Sequence, residues 1–426
     1  MKLPNNGIGK DVFLMSSGTI IAQSINVLIQ PILTRIVSPE TLGIYTYIIS
    51  LATMIIPVAS LKIDMLIVSE RDDREAQYIT DVCILICMAI SLLYAVVVST
   101  SFLFGNDNLF TKYGLIIFFV PIIILTNGIR FLFISYNNRY KQYKLIAGIG
   151  ILREGAKGVI QVISGFLNYG VLGQVFGYAI ATIFGFRYQI KEYSQKLKNR
   201  KRITCAKMKD IIFVTGRKQI LYLVPAQFVN AFSHTIVIMS IASLYSPSSL
   251  GYYSAGARLL EIPLVFITAN VSKVCYRQVS EMVAGEKKVF PLVRKLALYL
   301  FAASVLGFAL LYAVAPPLSE FVFGKGYHVA GEFMKCLCIM YIVRFVASSF
   351  SGLFTIFGKQ NLEFYLNLAF VIFAASVFVV CKVLELSVTN YLWLIAGTYS
   401  LIYATLLLGY LQLCKVHDRK LTQQTI

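Results

Sequence analysis

Charge, paired cysteines and nucleotide-binding loops are scarce or missing in this sequence. Only 14% of the 426 residues are charged, against about 25% in an average soluble domain, which excludes an ordinary soluble protein. The eight cysteines include a C-x-C at Cys336 and Cys338, but a zinc site would need a second ligand pair. We therefore expect no metal, no disulfide and no cofactor. The loop G-x-x-x-x-G-K-[ST] does not occur, which argues against ATP as an energy source.

The chain has long apolar runs instead. It is 58% hydrophobic, and runs of roughly 18 to 25 residues, each long enough to cross a bilayer as a helix, recur from end to end. They predict an all-α integral membrane protein with about twelve transmembrane helices. The predicted spans lie near 11–36, 41–68, 78–104, 111–135, 143–166, 169–190, 211–244, 249–280, 290–315, 331–357, 362–384 and 388–413. The longest predicted outside loop, around Pro316 to Gly331, is too short to hold a catalytic domain.

A short motif recurs at half the length of the chain. Ser38–Tyr45 reads S-P-E-T-L-G-I-Y, and Ser246–Tyr253 reads S-P-S-S-L-G-Y-Y, 208 residues later. Each copy separates two apolar runs, where Pro ends one helix and Gly allows close backbone approach. Such a repeat predicts two similar lobes. We expect six-helix lobes over residues 1–204 and 205–426, arranged as parallel repeats around a central cavity.

Basic residues concentrate in alternate loops. The opposite loops hold only Arg35, Lys112, Lys325 and Lys382. By the positive-inside rule, both termini face the cytoplasm. The net charge of +19 thus reflects topology and gives no reason to expect a nucleic-acid partner. The most basic segment is the predicted linker, about 191–210, which is either a tether between the lobes or a site for anionic membrane lipids.

Polar stripes run along the first span and its repeat partner, the seventh. The first consists of Thr19, Gln23, Asn26, Gln30 and Thr34, and the second of Gln227, Asn230 and His234. Their spacing places each set on one helical face. Such stripes can form interhelical hydrogen bonds or line a water-filled cavity. Two related copies favour the cavity, so Gln23, Asn26 and His234 are candidate substrate-binding residues.

Ionisable residues inside the predicted spans carry the strongest functional signal. They are Lys62 and Asp64 in span 2, Arg153, Glu154 and Lys157 in span 5, Arg258 and Glu261 in span 8, and Arg344 in span 10. Each would cost roughly 2.5–3.5 kcal/mol facing lipid, so they should face a polar interior. They can neutralise one another, as Arg258 and Glu261 could at i and i+3. However, the excess of cations favours a basic cavity for an anionic substrate, because guanidinium groups bind phosphate bidentately.

We therefore assign roles to these residues as predictions. The candidate substrate-binding cations are Lys62, Arg153, Lys157, Arg258 and Arg344. The candidate ion-coupling acids are Asp64, Glu154 and Glu261. No catalytic residue is expected. Glycines of spans 5 and 6 predict close helix packing. They are Gly148, Gly150, Gly155, Gly158, Gly173 and Gly177.

Three stretches resemble a known family. They are L-T-R-I-V-S-P-E-T-L-G-I-Y-T-Y around Arg35, L-G-Y-Y-S-A-G-A-R-L-L-E-I-P at 250–263, and N-N-R-Y-K-Q-Y at 137–143. Together with the span count, the half-length repeat and the basic linker, they resemble Wzx-type polysaccharide flippases of the multidrug/oligosaccharidyl-lipid/polysaccharide exporter superfamily. The resemblance covers essentially the whole chain.

The resemblance implies a function and a location. It implies transfer of undecaprenyl-pyrophosphate-linked oligosaccharide from the inner to the outer leaflet of the bacterial cytoplasmic membrane, for O-antigen, capsule or exopolysaccharide synthesis. It also implies alternating access through a cationic cavity that receives the pyrophosphate and sugars. A polysaccharide polymerase and a chain-length regulator are candidate partners.

Three alternatives stay open. Another ion-coupled exporter of the same superfamily would favour an acidic cavity for cationic substrates. A membrane O-antigen polymerase or ligase would carry a large outside loop with catalytic Arg and His. A scaffold protein would not need buried charges.

Overall fold

The computed structural model describes residues 7–104, 111–197 and 203–424, where every regular element is helical. The first ten helices are α1 (Gly7–Ile36), α2 (Pro39–Ile55), α3 (Asp64–Ser69), α4 (Asp73–Phe104), α5 (Phe119–Arg139), α6 (Tyr143–Phe166), α7 (Gly170–Ala181), α8 (Phe186–Gln189), α9 (Lys191–Leu197) and α10 (Cys205–Asp210). The others are α11 (Val224–Leu244), α12 (Pro247–Pro263), α13 (Ala269–Ala284), α14 (Phe290–Phe323), α15 (His328–Ser348), α16 (Leu353–Ile356), α17 (Gln360–Val383) and α18 (Val388–Gln424).

The predicted all-α membrane fold is confirmed. Eleven helical segments of the described chain are long and apolar enough to cross a membrane. The predicted span that is not among the eleven is the fifth, 143–166, which corresponds to α6 and has 24 residues. Its charged residues are Lys144, Arg153, Glu154 and Lys157. These charges set α6 apart from the apolar spans, and three of them belong to the site described below.

The chain divides into two compact units, the N-terminal unit Met1–Ile238 and the C-terminal unit Met239–Ile426. The division falls within α11, whose Thr235 hydroxyl donates a 3.5 Å hydrogen bond to the Ser50 carbonyl of α2. The division of the lobes at residues 204 and 205 and their arrangement around a cavity stay predictions. The linker's centre, with Lys198, Arg200, Lys201 and Arg202, lies outside the described residues.

The N-terminal unit has its core where α3, α4 and α5 meet. Ile63, Ile79, Val82, Leu132 and Tyr136 are almost completely buried there. Removing such side chains from water or headgroups favours packing at roughly 25 cal/mol per Å² of apolar surface. This core fixes the position of α5, which carries two residues of the site.

The C-terminal unit is built around α15. Tyr341, Val346 and Phe350 are almost fully buried, and α15 packs against α12, α14 and α18. At the crossing of α15 and α14, a Cβ added to Gly331 would lie 2.3 Å from the Cα of Pro316. Only glycine therefore allows this close approach.

Three predicted boundaries are wrong. The second span is not one helix, because α2 ends at Ile55 and Leu61 and Lys62 adopt positive φ angles of 50° and 58° before α3 begins. The predicted loop near Pro316 is mostly helical, since α14 continues through both prolines to Phe323. The last helix runs beyond residue 413 to Gln424.

The extension of α18 has a structural role. The Asp418 carboxylate accepts hydrogen bonds from the backbone N–H groups of Val289 at 2.8 Å and Phe290 at 3.0 Å. It thus caps the first turn of α14, whose N–H groups have no partner within the helix. A negative charge at this end also interacts favourably with the helix dipole.

Both copies of the repeated motif start a helix in the same way. The Ser38 hydroxyl accepts a 3.2 Å hydrogen bond from the N–H of Thr41, and Pro39 is the first residue of α2. Ser246 accepts the same bond from Ser249 at 3.2 Å, and Pro247 begins α12. Serine is a favoured N-cap and proline a favoured first helical residue. The repeat is thus a helix-start signal in both halves of the chain.

Candidate functional site

A chain of ion pairs lies on α6 in the N-terminal unit. The two carboxylate oxygens of Glu154 contact Arg153 and Lys157, one oxygen to each cation. These side chains are only 16%, 11% and 10% exposed for Arg153, Glu154 and Lys157. One acid therefore serves two cations, and the trio keeps a net positive charge.

Amide groups from two neighbouring helices complete the trio's hydrogen bonds. Lys157 Nζ donates a 3.0 Å hydrogen bond to Asn26 Oδ1 of α1. Arg153 Nη1 donates to Asn127 Oδ1 of α5 at 3.4 Å. The predicted cluster is thus brought together with one of the predicted polar residues, Asn26, and with one that sequence reasoning missed, Asn127.

Close packing of α1 on α6 brings Asn26 to Lys157. A Cβ on Gly18 would lie 2.4 Å from the Cβ of Ala147, and a Cβ on Gly158 would lie 1.7 Å from Cδ1 of Ile29. The glycine-packing prediction is confirmed for Gly158, Gly173 and Gly177. It is wrong for the positions where an added Cβ meets nothing within 4 Å. These are Gly148, Gly150 and Gly155.

Arg130 of α5 is a second residue near the trio that sequence reasoning missed. Its Nε is buried without a hydrogen-bond partner among the described residues. Its guanidinium carbon lies 4.1 Å from the centroid of the Phe131 ring, and the group lies within electrostatic range of Arg153 and Glu154. The sequence alone could have identified Arg130, because it interrupts an apolar run as Arg344 does.

Two tyrosines border the N-terminal cluster. The ring centroids of Tyr45 and Tyr178 are 6.5 Å apart in an edge-to-face arrangement, and both interact electrostatically with Arg153. Tyr45 is the last residue of the first copy of the repeated motif. The motif therefore places an aromatic ring beside the buried guanidinium.

The C-terminal unit has a smaller ion pair. Arg344 Nη1 of α15 lies 3.4 Å from Glu261 Oε1 of α12, and the Arg344 guanidinium lies 5.1 Å from the centroid of the Tyr341 ring. Tyr403 also interacts with this guanidinium. The ion pair of Glu261 with Arg344 joins two helices, unlike the predicted i, i+3 pair with Arg258 on α12.

The second copy of the motif ends beside this pair. Tyr253, the counterpart of Tyr45, interacts electrostatically with Arg344 and Glu261. Arg258 is half-buried on the same helix. Each unit therefore combines a buried arginine, a glutamate and the tyrosine of its motif copy.

Lys62 and Asp64 lie apart from the α6 trio, at the break between α2 and α3. The Asp64 carboxylate accepts hydrogen bonds from the hydroxyls of Ser60 and, at 3.0 Å, Ser135. Lys62 is half-buried in its left-handed backbone conformation. The structure therefore does not bring these two predicted site residues into the clusters described above.

The polar residues of the predicted α1 stripe differ in their exposure. Gln23 is exposed, Asn26 is half-buried against Lys157, and Gln30 is buried. In α11, His234 is exposed. The roles of Gln23 and His234 stay predictions.

The N-N-R-Y stretch joins the ends of several helices. Arg139 pairs with Asp73 at 2.8 Å and also donates to the backbone carbonyls of Ile67 in α3 and Arg71 in the turn before α4. Asn137 donates to the Gln189 carbonyl at 3.1 Å, and Gln189 donates to the Arg130 carbonyl at 3.0 Å. This stretch therefore supports the site by fixing the backbone of α5.

Part of the predicted linker contacts the start of α4 within the N-terminal unit. Lys207 of α10 lies 2.8 Å from the Glu75 carboxylate at the start of α4. This hydrogen bond raises the pKa of the Lys207 ammonium above its ordinary value. In the described part of the chain, no cluster of His, Cys, Asp and Glu could hold a metal ion.

Solved structures with a similar fold are membrane transporters. The lipid II flippase MurJ in an inward closed conformation has a TM-score of 0.71 at 16% identity, with 96% of this chain and 92% of that chain covered. An inward-facing multidrug resistance MATE family transporter of the MOP superfamily has a TM-score of 0.65 at 12% identity, covering 96% and 100%. A MOP superfamily transporter from Pyrococcus furiosus has a TM-score of 0.55 at 13% identity, covering 97% and 95%. At these identities the likeness shows the fold alone.

The sequence comparisons identify the family. No curated protein matches the chain at a significant level. The family model described as polysaccharide biosynthesis protein matches residues 32–332, which is more than half of the chain. The resemblance predicted from the sequence is confirmed, and the related folds are those of flippases and transporters. The chain is a multi-pass membrane protein that belongs to the polysaccharide biosynthesis protein family.

Proposed function

We propose that this protein moves undecaprenyl-pyrophosphate-linked oligosaccharide units from the inner to the outer leaflet of the bacterial cytoplasmic membrane. The units then enter surface polysaccharide, whether O-antigen, capsule or exopolysaccharide. Transport proceeds by alternating access, and both termini are cytoplasmic. The family supports the link to polysaccharide, and the fold supports transport, since one similar structure is a lipid II flippase.

The observation that carries this proposal is the ionic trio of α6. Arg153, Glu154 and Lys157 are mostly buried and bond to Asn26 and Asn127 on other helices. Three charges facing lipid would cost roughly 8–10 kcal/mol on insertion scales. A helix that carries this cost in a membrane protein is a functional-site candidate, and the cationic excess suits a phosphate-bearing substrate.

The other site residues have supporting roles in the proposal. Lys62, Arg258 and Arg344 contribute further cationic contacts, and Gln23 and His234 contribute polar ones. Proton or sodium coupling uses one of the acids, which are Asp64, Glu154 and Glu261. A polymerase and a chain-length regulator receive the product on the outer side, and anionic lipids contact the basic linker.

Lipid analysis after deletion of the gene tests the proposal. We expect lipid-linked oligosaccharide to accumulate in the cytoplasmic leaflet, protected from a membrane-impermeant sugar-oxidising reagent in intact spheroplasts, with loss of surface polysaccharide. Complementation by the wild-type gene should reverse both effects. Complementation by Arg153→Ala at equal protein level should not.

Other outcomes would replace the proposal. Single repeat units exposed on the outer leaflet would mean that export works and polymerisation fails, as expected for a polymerase. Unchanged lipids combined with new sensitivity to cationic drugs would instead indicate a drug exporter.

A further inference from the structure

A groove opens between α13 and α14 within the C-terminal unit. Its volume is about 540 Å³, inside the range of roughly 300–1,000 Å³ that ligand-binding clefts in proteins occupy. The lining is mostly apolar, with Val271 and Val274 on α13 and Leu292, Leu296 and Tyr299 on α14. Among the described residues that line the groove, Lys295 of α14 carries the charge.

The groove forms because α13 and α14 pack against different neighbours. A turn of residues 285–289 joins the two helices. Beyond this turn α14 packs against α15 and α18, whereas α13 packs against α16. On that side of α13, a Cβ added to Gly352 would lie 2.6 Å from Cδ2 of Tyr276. Close packing on other elements therefore fixes both helices, and the space between them belongs to the fold.

The length of α14 places the groove at the membrane boundary. The 34 residues of α14 span about 51 Å at 1.5 Å per residue. The hydrocarbon core is about 30 Å thick, so about 10 Å of the helix extends among the headgroups at each end. Lys295 lies about 8 Å and Tyr299 about 14 Å from the start of α14. The groove thus runs from the headgroup level into the acyl chains.

The same end of α13 and α14 is strongly basic. The segment 269–300 has six basic side chains and two acidic ones, Glu281 and Glu286, for a net charge of +4. The Lys295 ammonium lies 5.9 Å from the centroid of the Tyr299 ring, which places the charge at the groove itself. Basic residues beside a membrane attract anionic lipid headgroups. The basic side chains are Lys273, Arg277, Lys287, Lys288, Arg294 and Lys295.

We propose that the groove between α13 and α14 binds an anionic glycerophospholipid. Its phosphodiester headgroup lies at the Lys295 ammonium, and one acyl chain lies along Val274, Leu296 and Tyr299. The apolar lining accepts the chain of any phospholipid, whereas the net charge of +4 selects a headgroup with a net negative charge. In the proposed topology the lipid belongs to the cytoplasmic leaflet. Only that choice of leaflet rests on the proposed function, since the site itself needs no transported substrate.

Photolabelling of the purified full-length protein in detergent tests this site. The probes are phosphatidylglycerol with a diazirine on one acyl chain and phosphatidylcholine with the same chains, which differ in net charge. Mass spectrometry locates the labelled peptides. At equal probe concentrations, we expect phosphatidylglycerol to label the α13 and α14 peptides at least 5-fold more than phosphatidylcholine does.

Two variants separate the charge of the site from its shape. Lys295→Met should lower the ratio of phosphatidylglycerol to phosphatidylcholine labelling about 5-fold, which corresponds to about 1 kcal/mol for one basic residue near an anionic surface. Val274 is 57% exposed, so Val274→Trp should fold normally, fill the groove and lower labelling by both probes at least 5-fold. Lys144→Met is the matched control, because Lys144 is an exposed lysine in the first turn of α6; it should keep the wild-type ratio.

Three results would overturn the inference. Equal labelling by the two probes would show ordinary lipid contact without selection. Competition by excess glycerophosphoglycerol, which is the headgroup without acyl chains, would indicate a soluble anion as the ligand. Labelling that occurs in the purified protein but not in vesicles of host membrane would mean that another membrane protein covers the groove. The labelling and the gene deletion give independent answers, since a failed transport proposal leaves the lipid site and the loss of lipid selectivity leaves transport.

Discussion

The two units carry related clusters with different charge balances. In the N-terminal unit, Arg153 and Lys157 share Glu154 on one helix, and amide side chains bond to both cations. In the C-terminal unit, Arg344 and Glu261 form one pair between two helices, with tyrosines around the guanidinium. Both clusters include the tyrosine of the repeated motif.

The difference suggests a division of labour between the units. The Arg344–Glu261 pair compensates itself, and the Glu261 side chain is 45% exposed, so water or headgroups reduce its electrostatic cost. The α6 trio is more buried and keeps an excess of cations, which a ligand can neutralise. In our proposal, the cluster of the C-terminal unit serves mainly helix packing, and that of the N-terminal unit serves ligand binding.

Substitution of Arg258 should have the largest effect on transport. Arg258 is the candidate substrate-binding cation of the C-terminal unit that does not belong to the Arg344–Glu261 pair. If it contacts the phosphate of the substrate, Arg258→Ala should abolish surface polysaccharide at unchanged protein level. Arg258→Lys should restore it in part, since a lysine keeps the charge but not the two-pronged geometry. Surface polysaccharide measured by gel with silver staining, beside an immunoblot of the membrane fraction, checks both. Normal polysaccharide in the alanine variant would remove Arg258 from the site.

Removing the acid of each cluster compares their stabilities directly. Glu154→Gln leaves two buried cations without their shared carboxylate and should lower the free energy of unfolding by about 3–5 kcal/mol. Glu261→Gln removes a half-exposed partner and should cost about 1 kcal/mol or less. Denaturant unfolding in mixed micelles measures both. Equal losses of unfolding free energy in the two variants would show that burial does not distinguish the clusters. The proposed difference in function between the units would then have no physical basis.

Most of the fold could be predicted from the sequence because it depends on apolar run length. The runs gave the helices, and the charges of α6 identified the span that is least like the others. The break at Leu61 and Lys62 could not be predicted, since neither residue favours a positive φ. The continuation of α14 through Pro316 was also missed, because prolines usually indicate a helix end.

The site was predicted in composition but not in pairing. Spacing along one helix identifies Arg153, Glu154 and Lys157 as neighbours, and the structure brings them together. Contacts between helices, such as Glu261 with Arg344, depend on packing that no single-helix pattern encodes. Arg130 was within reach of the same reasoning that selected Arg344, because a membrane arginine is costly wherever it lies.

A pair of glycine variants tests whether packing of α1 on α6 holds the N-terminal cluster together. Gly18→Ala would place its Cβ 2.4 Å from the Cβ of Ala147, so one helix must shift, at a cost of about 1–3 kcal/mol. Gly148→Ala meets nothing within 4 Å and should be neutral or stabilise α6 by about 0.5–1 kcal/mol. Unfolding midpoints measure stability, and binding of the probe farnesyl-pyrophosphoryl-N-acetylglucosamine to the purified protein in detergent reports on the site. If Gly18→Ala leaves both unchanged, the contact of Asn26 with Lys157 does not depend on this crossing.

The helix caps give the smallest expected effect and the cleanest comparison of the two repeats. Ser38→Ala and Ser246→Ala each remove one 3.2 Å hydrogen bond to a backbone N–H. Each should lower the free energy of unfolding by about 1 kcal/mol, and threonine at either position should retain most of it. Equal losses of unfolding free energy would mean that the motif caps its helix equally well in both units. The functional difference between the units would then arise from the charges around Tyr45 and Tyr253. A much larger loss at Ser38 would mean that the cap also orients Tyr45 against the cationic cluster, and the probe affinity of Ser38→Ala should then fall with its stability.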